Sequence, residues 1–316
     1  MSFTYSARSR AIEPFHVMAL LQRAHELQAA GNDVIHLEIG EPDFTTAEPI
    51  MAAARAALDA GATSYTPALG LPQLREAIAG LYLKRHGISL DPQRIVVTPG
   101  GSGALLLASA LLVDPGKHWL LADPGYPCNR HFLRLVEGGA QLVPVGPETR
   151  YQLTADLVER YWDDGCVGAL VASPANPTGT LLERDELAAL SRSVQERRGA
   201  LVVDEIYHGL VYEGQEHSIL QYTDNCFVFN GFSKLYAMTG WRLGYVIAPR
   251  TFMRALQTMQ QNFFLCTNSI AQWAGVAALT QAGQEVAAMK TIYNQRRLYM
   301  IKRLRELGLG IKVEPT

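Results

Sequence analysis

Four side chains in the second half of the sequence combine nucleophilic, anion-binding and acidic chemistry. Lys234 directly follows Ser233, and Arg242 stands eight residues after the lysine in a segment bracketed by glycines. A lysine amine can form a Schiff base with an aldehyde, and a serine hydroxyl with an arginine can hold a phosphate. Asp204 closes an apolar run thirty residues before the lysine, where a buried carboxylate needs a partner. Together these groups indicate a site for a phosphorylated aldehyde that carries a basic ring.

Lys234 can attack an aldehyde only as the neutral amine. Burial and the positive charge of Arg242 are expected to lower its pKa and so to favour that form. The alternative is a surface lysine on a loop, which the combination with Ser233 and Arg242 disfavours. For Asp204 the alternative is a helix cap at the end of a strand.

Further candidate groups follow other apolar runs. After Thr98 the sequence Pro-Gly-Gly-Ser-Gly leads into an apolar stretch, so backbone amides and the Ser102 hydroxyl at a helix N-terminus would favour an anion. The segment lacks the Gly-x-Gly-x-x-Gly and Lys-Ser/Thr patterns of nucleotide sites. Tyr126, in Asp-Pro-Gly-Tyr-Pro, could stack on a planar ring or lie in the core.

Two more segments complete the candidate site. Ser173-Pro-Ala-Asn-Pro-Thr-Gly predicts a rigid turn that projects the amide of Asn176, with one or both X-Pro bonds cis. Tyr207 follows Asp204 by three residues and could donate to a phenolic oxygen. A basic ring, a phenolic oxygen, a phosphate and an aldehyde are the features of pyridoxal phosphate, which is therefore the predicted cofactor.

The hydrophobic pattern predicts an α/β fold with a mainly parallel, seven-stranded sheet, because short apolar runs alternate with helical stretches. One antiparallel strand is allowed, since no clean hairpin signal joins the last two runs. The predicted strands are 94–98, 118–122, 141–145, 168–173, 200–204, 226–230 and 243–248, with a further short strand at 34–37. The predicted helices are 15–29, 47–60, 71–86, 102–113, 127–137, 154–162, 183–198, 251–280 and 284–308. Ligands of such sheets bind at the carboxyl ends of parallel strands, where the candidate groups fall.

Composition narrows the class of protein. With 316 residues, 48% hydrophobic and 18% charged, the sequence fits one large globular domain or two smaller ones. The net charge of −2 gives no electrostatic case for nucleic acid or an anionic membrane. No apolar run approaches the roughly 20 residues of a membrane span, and no apolar signal core follows the N-terminal arginines. Four scattered cysteines favour reduced thiols and a cytoplasmic location, and the histidine spacing predicts no metal site.

The sequence resembles the class I/II aminotransferases, a family of fold-type I pyridoxal-phosphate enzymes. The resemblance covers nearly the whole chain and rests on six motifs in a fixed order. These are Gly40-Glu-Pro-Asp-Phe, Tyr65-Thr-Pro-Ala-Leu-Gly, Gly101-Ser-Gly, Asn176-Pro-Thr-Gly, Asp204-Glu-Ile-Tyr and the segment from Ser233-Lys to Arg242. The resemblance implies a three-layer α/β sandwich with an incomplete small α/β domain.

The resemblance also implies a role for each residue around the cofactor ring. Lys234 would be the Schiff-base lysine and proton shuttle, and Asp204 would hold the pyridinium nitrogen. Asn176 and Tyr207 would hold the phenolic oxygen, while Tyr126 would stack on the ring. The catalytic set would then be Lys234, Asp204 and Tyr207.

Other residues would bind the phosphate and the substrate. The implied phosphate ligands are Gly101, Ser102, Gly103, Ser233 and Arg242. Tyr65 resembles a tyrosine that reaches the phosphate of the partner subunit, which implies a homodimer with shared sites. The backbone of Gly40 and the side chain of Asn176 would contact the substrate. Ile12 and Phe15 are candidates for lining a pocket for an apolar or aromatic side chain.

The implied reaction is ping-pong transamination between an amino acid and a 2-oxo acid, with Lys234 acting first as base and then as acid. The implied domains are an N-terminal arm and small-domain segment (1–45), a large cofactor-binding domain (46–282) and the start of a C-terminal small domain (283–316). The family's substrate-carboxylate arginine normally comes from beyond that point. The expectation is therefore a nearly complete cofactor site and weak transamination, because bidentate arginine pairing orients the substrate.

Two rival functions stay open at this stage. A carbon–sulfur β-lyase would use the same lysine and ring contacts, and product analysis would separate the two reactions. A non-catalytic pyridoxal-phosphate-binding protein is the other alternative.

Overall fold

The computed structural model describes residues 4–316, and seven strands form a single sheet. The strands are β1 (Ile95–Pro99), β2 (His118–Asp123), β3 (Gly139–Pro144), β4 (Cys166–Ala172), β5 (Ala200–Asp204), β6 (Phe227–Gly231) and β7 (Leu243–Ile247). Their order across the sheet is β1-β7-β6-β5-β4-β2-β3.

The direction of the strands decides where their ends meet. Strands β3, β2, β4, β5 and β6 pair in parallel, whereas β7 runs antiparallel to both of its neighbours, β6 and β1. The carboxyl ends of six strands and the start of β7 therefore lie along one edge. The prediction of a mainly parallel seven-stranded sheet with one antiparallel strand is confirmed.

Helices pack against the sheet, and further helices form the N- and C-terminal parts of the chain. They are α1 (Ala7–Arg10), α2 (His16–Ala29), α3 (Glu48–Asp59), α4 (Pro72–His86), α5 (Gly100–Leu112), α6 (Asn129–Leu135), α7 (Ala155–Tyr161), α8 (Arg184–Glu196), α9 (Met253–Phe263), α10 (Ser269–Thr280) and α11 (Gly283–Glu306). Short 3-10 turns lie at Pro92–Arg94, Pro147–Thr149, Ile219–Gln221 and Arg250–Phe252.

Two predicted elements differ from the structure. The single helix expected over 251–280 is divided into α9 and α10 by a break at which Leu265 has φ 60° and the Asn268 side chain caps the N-terminus of α10. The strand expected at 34–37 is absent, and Ile35 and Leu37 are exposed instead. Four apolar residues form a strand only where a neighbouring strand accepts their backbone hydrogen bonds.

The core lies on both faces of the sheet, so the fold has three layers. On one face, Val203 and Val228 pack in a cluster with Leu74 and Ile78 of α4. On the other face, Val202 packs in a second cluster that includes the apolar side of α5. Consecutive strand residues point to opposite faces, which is why the run Leu201-Val202-Val203 is apolar throughout. Within residues 4–316 no helix is both long and apolar enough to cross a membrane.

Candidate active site

The segments that follow six of the strands line one pocket at the carboxyl edge of the sheet. Its volume is about 280 Å³, near the lower end of the range for small-molecule sites. Nine of the predicted residues lie along its wall: Gly101, Ser102, Tyr126, Asn176, Asp204, Tyr207, Ser233, Lys234 and Arg242. The structure therefore brings together residues that are up to 141 positions apart in the chain, from 101 to 242.

Lys234 lies just after the end of β6, and its side chain points across the pocket. Its Nζ donates a hydrogen bond to the backbone oxygen of Gly40 at 2.8 Å. Burial lowers the pKa of Lys234, and Arg242 acts in the same direction, whereas Glu41 and Asp204 raise it. The net shift is downward, which confirms the direction expected from the sequence and favours the neutral amine.

Asp204 is the last residue of β5, and its carboxylate faces the same pocket as Lys234. The backbone N–H of Ile206 donates to its Oδ1 at 3.0 Å. Burial raises the pKa of Asp204 to about 6, and the opposing effects of that hydrogen bond and of Lys234 are smaller. A buried carboxylate with one backbone donor has unused acceptor capacity, so a cationic N–H placed in the pocket would stabilise it.

Asn176 and Tyr207 form a pair on the wall beside Asp204. The amide Nδ2 of Asn176 donates to the hydroxyl of Tyr207 at 3.2 Å. Burial, with the charge of Asp204 second, raises the pKa of Tyr207 to about 12, so its hydroxyl keeps its proton at neutral pH. The turn that carries Asn176 has cis bonds before Pro174 and Pro177, as predicted, and the bond before Pro124 is also cis.

The N-terminus of α5 and the guanidinium of Arg242 form an anion-binding corner. Gly100 has φ +69°, and a Cβ on it would come within 2.7 Å of Nη2 of Arg242. A Cβ on Gly244 would come within 2.5 Å of the backbone carbon of Gly100. Only glycines at both positions allow the two chains and the guanidinium to approach this closely. The corner combines free helix amides with a fixed positive charge, which suits a phosphate.

Three predicted residues lie outside this wall. Gly103 is buried, and a Cβ on it would come within 2.8 Å of Cδ of Pro99, so it serves close packing in α5. Tyr65 is 81% exposed, in the segment before α4. Gly40 contacts the site through its carbonyl group, which accepts from Lys234. The predicted roles of these residues in binding stay predictions.

The chain before α2 reaches the neighbourhood of the pocket through Phe15. The ring of Phe15 meets the ring of Tyr126 edge to face, with centroids 6.2 Å apart. Ile12 is 38% exposed and does not line the pocket. Of the two predicted side-chain contacts, the structure supports only Phe15 as a neighbour of the site.

Sequence reasoning missed a charged residue beside the lysine. Glu41 raises the pKa of Lys234, and its Oε1 accepts a hydrogen bond from the hydroxyl of Thr239. Thr239 also lines the pocket, on the loop that carries both Lys234 and Arg242. The segment Gly-Glu-Pro-Asp-Phe was recognised as a motif, but nothing in its spacing places the Glu41 carboxylate near a residue almost 200 positions away.

Comparison with known proteins agrees with this geometry. The family model described as "Aminotransferase class I and II" matches residues 32–316. A valine–pyruvate aminotransferase of Mycobacterium tuberculosis is 40% identical, over 96% of this chain and 79% of the relative. The (5-formylfuran-3-yl)methyl phosphate transaminase of Methanocaldococcus jannaschii is 36% identical, over 96% of this chain and 80% of the relative.

Solved structures give the same result. An aminotransferase from Mycobacterium tuberculosis superimposes with a TM-score of 0.95 at 39% identity, covering 100% of this chain and 81% of that one. The aspartate aminotransferase of Thermus thermophilus with maleate gives a TM-score of 0.93 at 34% identity, covering 97% of this chain and 81% of that one.

The sheet order, the lysine at the end of β6 and the anion-binding corner define a fold-type I pyridoxal-phosphate enzyme. The chain belongs to the class I and II aminotransferase family, whose members use pyridoxal phosphate, and its function is amino-group transfer.

Proposed function

We propose that Lys234, Asp204 and Tyr207 are the catalytic residues of this aminotransferase. The observation that supports the proposal most directly is that the Lys234 amine and the Asp204 carboxylate face one cavity, close enough for each to shift the pKa of the other. Only a small ring with a cationic edge and an electrophilic carbon meets both groups at once.

The residues present fit pyridoxal phosphate. Asp204 has unused acceptor capacity, and the pair of Asn176 and Tyr207 offers a protonated hydroxyl. The corner made by α5 and Arg242 offers amides and a guanidinium for a phosphate, with Gly101, Ser102 and Ser233 alongside. When bound, the cofactor supplies an electron sink next to the substrate carbon. The face of Tyr126 covers the apolar side of the same cavity.

Lys234 is proposed to move the proton. Its amine is free to act as a base because burial and Arg242 depress its pKa, while its hydrogen bond to the Gly40 oxygen holds it at the mouth of the pocket. After it accepts a proton, Glu41 and Asp204 stabilise the ammonium form. The same group can therefore take a proton from one carbon and return it to another.

We also propose a homodimer in which Tyr65 enters the site of the partner subunit. Tyr65 is 81% exposed and lies outside the pocket of its own chain. A large aromatic side chain with that exposure is typical of a residue that a partner covers. The Tyr65→Phe substitution is expected to weaken phosphate binding without changing the dimer, which cofactor titration combined with sedimentation checks.

The division into segments 1–45, 46–282 and 283–316 is likewise a proposal. It is supported by contacts that join the first segment to the last. Nη1 of Arg296 in α11 donates to both carboxylate oxygens of Asp43, at 2.8 and 2.9 Å, and Phe44 meets Tyr293 with ring centroids 5.1 Å apart. These contacts would let the N-terminal segment and α11 move as one body. A cytosolic location is proposed too, supported by four cysteines that form no disulfide.

For the amino donor we propose an amino acid with an apolar side chain and, as acceptor, pyruvate or a similar 2-oxo acid. The support is the edge-to-face contact of Phe15 with Tyr126 and the 40% identity to a valine–pyruvate aminotransferase. Aspartate aminotransferases among the relatives, at 33–35% identity, make aspartate the comparison substrate.

Half-reactions monitored by the absorbance of the bound cofactor test these proposals. The purified, cofactor-loaded protein is mixed with valine, phenylalanine, aspartate and glutamate in turn. We expect valine to convert the cofactor faster than aspartate, and Lys234→Ala to abolish conversion by every donor. The Lys302→Ala variant, with its change on the exposed side of α11, is the matched control. Conversion in Lys234→Ala at the rate of the control would refute the assignment.

A further inference from the structure

A second group of polar side chains lies behind the active site, on the other side of the turn after β5. His86 is the last residue of α4, His208 ends the turn that begins at Asp204, and Glu216 belongs to the following loop. Each offers one potential ligand atom, and these atoms all lie within 4.8 Å of one another. None of the three lines the cofactor pocket.

His208 is the residue that calls for an explanation. It is 2% exposed, and within residues 4–316 neither ring nitrogen makes a hydrogen bond of good geometry, although the backbone of Ser173 lies near enough to oppose slightly the lowering of the ring's pKa by burial. Oε2 of Glu205 lies 3.4 Å from its Nδ1, outside hydrogen-bond geometry. A buried imidazole without well-formed hydrogen bonds costs free energy. A ligand between His208, His86 and Glu216 would satisfy it.

We infer that His86, His208 and Glu216 bind one divalent transition-metal ion. Two imidazoles and one carboxylate form the protein ligand set of some zinc sites, with water as the fourth ligand of the tetrahedron. Ligand bonds of about 2.0–2.2 Å at tetrahedral angles place two ligand atoms roughly 3.3–3.6 Å apart on one ion. The observed separations, all within 4.8 Å, would shorten to that range by side-chain rotation.

The protonation states of the ligands favour binding. Burial is the main cause that lowers the pKa of His86 to about 4, and it also lowers the pKa of His208 well below the ordinary value. Both rings are therefore neutral at pH 7, which is the form that binds a metal. No proton has to leave either histidine when the ion enters.

The surroundings limit the affinity and provide a route of entry. Nε of Arg85 lies 3.5 Å from Oε1 of Glu216, and the backbone N–H of Gly209 donates to Oε2 at 2.6 Å. Glu216 and Lys290 line an open cleft, so the carboxylate ligand faces an opening to solvent. Two nearby cationic side chains oppose a divalent ion, so we expect a dissociation constant in roughly the micromolar range, weaker than for a dedicated structural zinc site.

The ion would add a direct bond between three parts of the fold that a hydrogen bond, an ion pair and ring packing already bring together. His208 directly follows Tyr207, so a bond to His208 restrains the turn that also carries Asp204. His86 ties that turn to the end of α4. The metal is therefore expected to stabilise the scaffold under the cofactor while taking no part in the chemistry.

Zinc titration of the cofactor-loaded protein, after removal of metal with a chelator, tests the inference. We expect one equivalent to bind, and the His86→Gln and Glu216→Gln variants to weaken binding at least about tenfold. His16→Gln changes an exposed histidine of α2 and is the matched control, with affinity equal to wild type. Glu216→Gln keeps an acceptor for the Gly209 N–H, so the loop should keep its conformation. The variant therefore tests the loss of the metal ligand separately from disruption of the loop.

Two further readouts do not depend on activity. Cobalt bound to the wild type should give the visible absorption of a tetrahedral site with nitrogen and oxygen ligands, and this band should be missing in His86→Gln. Saturating zinc should raise the unfolding midpoint of the wild type by about 4 °C and leave that of Glu216→Gln unchanged. Equal zinc affinity in His86→Gln and His16→Gln, or no wild-type binding tighter than about 100 µM, would overturn the inference.

Discussion

Asp204 and Glu205 are neighbours in sequence, and Glu205 is fully buried whereas Asp204 is partly buried at the pocket wall. Asp204 faces the cofactor pocket and has the Ile206 N–H as its one hydrogen-bond donor, while Glu205 faces the interior and accepts from the Tyr82 hydroxyl at 3.1 Å and from the Ile219 N–H at 3.0 Å. Burial raises the pKa of Asp204 to about 6 and that of Glu205 to about 8. Burial alone therefore does not mark the functional carboxylate.

The two residues differ in whether their carboxylate has unused hydrogen-bond acceptor capacity that faces a cavity. Asp204 faces a cavity that also contains the Lys234 amine, so its missing partner can be a ligand. The hydrogen-bond partners of Glu205 are groups of the protein itself, and its high pKa keeps it protonated near neutral pH. The comparison teaches that a site residue is better recognised by an unsatisfied group facing a cavity than by a shifted pKa.

The largest expected difference is in turnover. Asp204→Asn would remove the charge that we propose holds the cationic ring edge, and should lower kcat by about a thousandfold, the usual scale for one well-placed electrostatic contact. Glu205→Gln should leave kcat within about fivefold, because Gln keeps acceptor capacity for its interior donors. Steady-state assays of both variants with a saturating donor check this. Similar losses of kcat in the two variants would contradict this distinction between Asp204 and Glu205.

The hydroxyls of Tyr207 and Tyr82 lie on opposite sides of the turn after β5. We expect the first to affect the reaction rate and the second to affect stability. Tyr207→Phe removes the group bonded to Asn176 and should slow the half-reaction by about tenfold, with little change in stability. Tyr82→Phe removes a donor to Glu205 and should cost about 1–2 kcal/mol of unfolding free energy, with the rate unchanged. Denaturant titration and stopped-flow absorbance measure the two effects separately.

Glu205 should also control how stability depends on pH. Its folded pKa is about 8, against an ordinary value of 4.5, so the folded state holds a proton that the unfolded state releases. The stability that this proton contributes is fully present below pH 4.5 and is lost as pH rises through about 8. Unfolding midpoints should therefore fall less between pH 5 and 8 in Glu205→Gln than in wild type. The exposed Glu159→Gln variant is the control and should retain the wild-type slope.

The smallest expected effect concerns Glu41, on the pocket side. Its charge raises the pKa of Lys234, so Glu41→Gln should lower that pKa further. The neutral amine would then be present at lower pH, and capture of the cofactor by the apoprotein should begin at lower pH than in wild type. The pH dependence of the capture rate measures the shift. A shift toward higher pH would contradict the electrostatic role of Glu41.

Much of this site could be predicted from the sequence because its groups follow regular strands. Asp204 and Asn176 come directly after apolar runs, and parallel strands bring such positions to one edge. Lys234 and Arg242 share one short loop, so the sequence also predicted that they lie close together. The cofactor could be predicted from these residues because each of its functional groups has a matching side chain.

The remainder depends on contacts between distant segments. The approach of Gly40 and Glu41 to Lys234 is set by the path of the N-terminal segment, for which the spacing gave no signal. The group of His86, His208 and Glu216 was missed because its ligands come from three elements and match no metal motif. The strand predicted at 34–37 is the opposite kind of error. There a local apolar pattern indicated a strand, but no neighbouring strand in the described residues pairs with it.

The antiparallel direction of β7 has a consequence for how this enzyme can change. Because β7 begins at the edge where β6 ends, a single connection of eleven residues, 232–242, carries both the reactive amine and the guanidinium. Inserting or deleting one residue there would displace both groups together, so the connection is expected to tolerate substitutions but not changes of length. We expect new substrate preferences to arise instead in other segments that line the pocket, such as α6.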